Sequence, residues 1–141
     1  MKFCRAKGWL VRWTSATLLG LATLAGAAPC AFAQSFPYGG ELRLNVNPMR
    51  GSKKVPVLDI GERGTAEIEM WCNSIKAQLI IAADTITIIT GEMSARQCAP
   101  DVLRADDELM AALNQVTNWR MESSALVLTG GKTLRFRVQT N

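Results

Sequence analysis

The chain has 141 residues, 48% of them hydrophobic and 20% charged, with sixteen Lys or Arg, twelve Asp or Glu and no histidine. That length allows one domain with a short segment to spare. Without histidine, Ser-His-Asp and Cys-His catalysis and the usual zinc ligand sets are excluded. The formal charge of +4 suggests a polyanion-binding surface until the charge is located. Residues 1–33 hold Lys2, Arg5, Lys7 and Arg12 and no acid, and the remainder carries twelve residues of each sign. Binding to nucleic acid needs a clustered excess of Lys and Arg, so no nucleic-acid partner is expected.

The first segment has the three parts of an export signal. A positive region to about Trp13 precedes a Leu- and Ala-rich stretch from Ala16 to Ala28, and Ala31-Phe32-Ala33 before Gln34 is the small-x-small pattern of a cleavage site. The apolar run is shorter than the roughly 18–20 residues a spanning helix needs, so no stable membrane span is expected after cleavage. A lipid anchor on Cys30 is disfavoured by Pro29 and by Ala27 in place of the usual Leu. The expected organisation is a cleavable signal peptide over 1–33 and a single domain over 34–141, periplasmic or secreted. Cys4 and Cys30 leave with the signal, so Cys72 and Cys98 form the one remaining pair. In an oxidising compartment that pair predicts a disulfide, and closing a loop of this length stabilises the fold by about 3–4 kcal/mol.

After a short lead-in over Phe36 to Gly40, apolar and polar residues alternate with the period of half-buried strands. Leu42, Leu44 and Val46 alternate with Glu41, Arg43, Asn45 and Asn47, and Val55 to Ile60 forms a second short run. Gly61 to Gly64 predicts a turn. Next, Ala66, Ile68, Met70 and Cys72 share one strand face, with Glu67, Glu69 and Trp71 on the other. Two β-branched runs, Ile75 to Ile81 and Thr85 to Thr90, flank Ala82-Ala83-Asp84 as a hairpin.

The period then changes. Pro100 suits a first helical position, Asp101, Asp106, Asp107 and Glu108 lie toward the helix start, where negative charge is favoured, and Val102, Ala105, Leu109, Leu113 and Val116 make one apolar stripe. These residues predict a helix over about 101–116 with its acids on a solvated face. Three strands follow, Trp119 to Glu122, Ala125 to Thr129 and Thr133 to Gln139, joined at Ser123-Ser124 and at Gly130-Gly131, where the glycines can supply positive φ. The predicted architecture is mainly β (β-rich α+β): a curled antiparallel sheet or small barrel of about eight strands with one packed α-helix. Closure removes unpaired edges.

No constellation for catalysis emerges. Cys72 and Cys98 are too far apart in sequence for a Cys-x-x-Cys redox motif. Consecutive carboxylates on a helix point about 100° apart and do not converge on a substrate. Ser94 has no activating base, no glycine pattern cradles phosphate, and Lys53 and Lys54 are too few for an anionic polymer. No cofactor and no metal are expected, and the domain is expected not to be an enzyme. Trp71, Glu67 and Glu69 form the candidate interaction surface.

Two motifs resemble the META domain family, also called HslJ-like. Trp71-Cys72-Asn73-Ser74 is similar to that family's Gly-Cys-Asn element at a strand end, and Thr90 to Pro100 is similar to its approach to a second cysteine and a proline. The acidic helix ending in Leu113-Asn114-Gln115-Val116, the strand opening at Trp119, Leu126-Val127-Leu128, the glycine turn and Leu134-Arg135-Phe136 continue the likeness across Val55 to Val138. Trp71, where the family usually has Gly, and Ala77, near a second common Gly, depart from it. The resemblance implies a β-rich fold with one helix, export to the envelope, and links to stress tolerance and motility-like traits; it supplies no catalytic residues. The function expected is a non-enzymatic, monomeric binding protein of the envelope, in stress tolerance, whose partner is an envelope protein or a small ligand. The alternatives are an inhibitor of an envelope-targeting hydrolase such as lysozyme and a carrier of a small apolar ligand.

Overall fold

The computed structural model describes residues 34–50, 52 and 54–138. The signal segment with Ala31 and Ala33, Cys4, Cys30, Lys53 and Gln139 lie outside the described residues. Eight strands form a closed antiparallel barrel in chain order: β1 (Gly40–Leu44), β2 (Val57–Ile60), β3 (Thr65–Glu69), β4 (Ser74–Ala82), β5 (Thr85–Met93), β6 (Asn118–Glu122), β7 (Ala125–Thr129) and β8 (Leu134–Val138). Strand β8 returns to β1, pairing Leu42 with Val138 and Leu44 with Phe136. Among the described residues there is a single α-helix, α1 (Pro100–Leu113), between β5 and β6 in sequence. The predicted barrel of about eight strands with one helix is the observed fold.

Alternation explains the core. Leu42, Ile60, Ile68, Leu126, Leu128 and Phe136 are each fully buried and come from β1, β2, β3, β7 and β8. Burying side chains of this size contributes about 1.5–3 kcal/mol each. Helix α1 adds Leu109 and Leu113 to the same cluster. Two-residue turns close the β4–β5 and β6–β7 hairpins, pairing Ala82 with Thr85 and Glu122 with Ala125. Their positive-φ residues are Ala83 and Ser123.

Several local expectations are corrected. Strand β1 ends at Leu44: the Asn45 N–H still donates to Arg135 across the β1–β8 seam, but the Val46 N–H folds back onto the Leu44 carbonyl at 2.9 Å and Val46 is 43% exposed. The lead-in is part of the core: Phe36 is buried and meets Trp119 edge-on at 5.0 Å. Helix α1 stops at Leu113, three residues early, although Val116 stays buried beyond it. Among the described glycines only Gly39 and Gly64 have positive φ, so Gly130 and Gly131 serve another purpose. A Cβ on Gly130 would lie 1.8 Å from the Gln115 carbonyl oxygen. The glycine pair thus admits the end of the helical segment against the β7–β8 turn, through the absence of a side chain rather than through backbone freedom.

Strand β5 pairs with β6 only at Thr85 and Asn118. Ile86 donates to Thr117 and Trp119 donates to Asp84, so the two strands run past one another and the seam is short.

Candidate functional site

Where α1 meets the β3–β4 turn, the structure brings together Trp71, Cys72 and Cys98. Beyond Glu69 the strand period stops, since the Met70 N–H donates to the Asn73 carbonyl at 2.8 Å and closes a turn. The next three backbone N–H groups all donate to one carboxylate, that of Asp106 on α1. Trp71 reaches Oδ1 at 3.0 Å, Cys72 reaches both oxygens at 3.3 Å, and Asn73 reaches Oδ2 at 2.8 Å. Asp106 is fully buried. A buried charge is tolerable only when its lone pairs are engaged, and hydrogen bonds to a charged group are the stronger kind.

Asp106 therefore does not sit on a solvated helix face with Asp107 and Glu108, as expected from the run of acids; those two neighbours are exposed and Asp106 is not. Its burial has a sequence signal that the stripe through Ala105 missed. Val102, Asp106, Leu109 and Leu113 follow helical spacing as well as any apolar set does, and all four are buried.

Asn73 extends the same lock. It is buried, and its side-chain oxygen accepts the Arg96 N–H at 2.9 Å. Cys72 and Cys98 are joined in a disulfide with Cα atoms 6.3 Å apart, and Ser74 and Ser94 exchange hydrogen bonds of 2.9 Å. Three kinds of link, carboxylate to backbone, amide to backbone and sulfur to sulfur, thus tie the β3–β4 turn to α1 and to the segment leading into it.

Trp71 is carried out of the strand by this turn. It leaves the face of Glu67 and Glu69 and lines an open groove of about 410 Å³ at the barrel end. Leu44, Val46 and Met49 bound the groove on one side and Leu109 and Ala112 of α1 on the other. The Trp71 carbonyl accepts the Ser52 hydroxyl at 3.1 Å, and its buried indole N–H has no partner among the described residues. Glu67 and Glu69 face a different groove, of about 490 Å³, on the outer wall of β1–β3. There Glu41, Asp59 and Glu67 stand directly opposite one another across the three strands, and Lys54 pairs with Glu69 at 3.5 Å. The predicted trio is therefore two surfaces, not one.

The model of the META domain family matches residues 39–141. The chain belongs to the META domain family. The match reaches further toward the N-terminus than the motif resemblance does, taking in β1. One solved structure, described as an NMR structure of the protein, is similar in fold, with a TM-score of 0.57, 20% identity, 71% of this chain covered and 89% of that one. No curated protein is significantly similar to the chain. META domains are not a known class of enzyme. Among the described residues of this META domain no helix is long and apolar enough to cross a membrane.

Proposed function

We propose that this META domain is an exported, non-enzymatic binding module of the bacterial envelope, and that it takes a partner protein into the groove beside Trp71. The observation that carries the reading is the contrast between a closed barrel filled by a buried apolar core and an open, apolar groove at its helical end. Exposed apolar surface rimmed by charge marks interaction sites, and here Asp101, Arg104, Glu108 and Lys132 make the rim. The disulfide supports export, because such bonds persist in oxidising compartments. A role in envelope stress tolerance rests on the family resemblance. A carrier of an apolar ligand would need interior space, which Phe136, Leu42, Ile60, Ile68, Met70 and Leu126 occupy.

The test places a photo-cross-linker at Lys132, which is exposed and lines the same groove as Val46. Mature protein carrying it should trap one reproducible partner from envelope extract. Val46→Asp should abolish capture, and Ile80→Asp, on the outer face of β4, should not. Equal capture by both variants would overturn the groove. If the trapped partner proves to be a cell-wall hydrolase that loses activity, the inhibitor reading replaces the leading one.

A further inference from the structure

The predicted cleavage falls just before Gln34, and the structure gives that residue an unusual position. Strand β6 runs past the end of the β4–β5 hairpin, so Met121 lies beyond the short β5–β6 seam. The Gln34 side chain fills the vacancy on this edge: its Nε2 donates to the Met121 carbonyl at 3.3 Å and its Oε1 accepts the Met121 N–H at 3.1 Å. A primary amide thus pairs with both polar groups of one strand residue, as a neighbouring strand would. Phe36, packed on Trp119, anchors the segment two residues later.

We propose that Gln34 is a modification site: in the exported protein it cyclises to pyroglutamate, and the lactam ring takes the amide's place on Met121. This rests on the export reading, since only cleavage after Ala33 frees the amine. The Gln34 α-amine attacks its own side-chain Cδ. The new C–N bond closes a five-membered ring, the Cδ–Nε2 bond breaks, and Nε2 leaves as ammonia carrying a proton from the amine. No oxidant or co-reactant is consumed. The Met121 N–H already donates to the carbonyl under attack, where negative charge develops. The product keeps a carbonyl oxygen and an N–H side by side on one edge, the same acceptor and donor pair that the amide presented. The strand edge therefore stays capped while the chain loses its terminal charge.

The full chain, produced in an exporting bacterial host, should yield an N-terminal peptide that begins at residue 34, lacks a free amine and is lighter than its encoded composition by one ammonia. Met121 amide exchange in the cyclised protein should stay within about twofold of the uncyclised fraction, and should rise roughly tenfold in Gln34→Ala, which removes the hydrogen bond. Gln34→Asn, whose ring would have four members, should keep its amine. A Gln34 amine that persists through long incubation overturns the cyclisation and leaves export intact. Met121 exchange in the cyclised protein as fast as in Gln34→Ala overturns the capping. A start elsewhere than residue 34 overturns the proposal alone, and retention of residues 1–33 overturns it together with the export reading.

Discussion

Two carboxylates show how differently this barrel uses acidic residues. Asp106, at the helical end, is fully buried and accepts three backbone N–H groups. Glu122, on the outer wall, is held by guanidinium groups: Arg120 Nη2 at 2.6 Å and Arg135 Nη2 at 2.6 Å. Both are satisfied. The buried one organises chain that would otherwise be irregular, whereas the outer one joins residues of β6 and β8 that the sheet already holds in place. Removing the first leaves buried donors stranded, and removing the second returns two arginines to water. A charged hydrogen bond is therefore decisive where water cannot replace it and minor where water can.

The largest expected effect is at Asp106. Asp106→Ala should destabilise the domain by about 3–5 kcal/mol, because three N–H groups lose their acceptor in a dry corner. Asp107→Ala, one residue along on the exposed side, should change stability by less than about 0.5 kcal/mol. Urea unfolding of the pair measures the contrast, and equal effects would refute the assignment of the buried acid. Next comes the disulfide that closes the same corner. Cys72→Ser combined with Cys98→Ser should cost about 3 kcal/mol. If the Asp106 lock and the disulfide act as one unit, the triple variant should lose less than the sum of the separate losses.

The smallest effect is at Glu122, and it is visible mainly through pH. Hydrogen bonds from Arg120, then from Arg135, hold its carboxyl below the usual range. A carboxylate whose folded value is lowered stabilises the fold above its unfolded value, and that contribution disappears as pH falls through the lowered folded value. Glu122→Gln should thus lower the melting temperature slightly near neutral pH and leave it unchanged well below the usual carboxylate range of about 4. A difference that grew on acidification would contradict the sign.

Much of the fold was legible because strand and helix periods are local. Leu42 with Leu44, Ala66 with Ile68, and Leu134 with Phe136 each declare an inward face by alternation, and Pro100 marks the start of α1 within one residue. Turn chemistry was less legible. Gly130 looks like a residue chosen for its φ and is instead chosen for the Gln115 backbone that lies against it, a neighbour fifteen positions away. Trp71 looks like the next outward residue of β3 until the Met70–Asn73 turn redirects it.

By itself the sequence determined the β-rich class, the eight strands, the single helix, the Cys72–Cys98 pairing and the META resemblance, because each rests on period, count or motif read along the chain. Tertiary structure alone decided which acid is buried, where Trp71 faces, and that Gln34 completes a strand edge at Met121, a residue 87 positions away. Those outcomes depend on desolvation and on backbone groups left unpaired where the chain turns, and both are properties of segments meeting across the barrel rather than of neighbours in sequence.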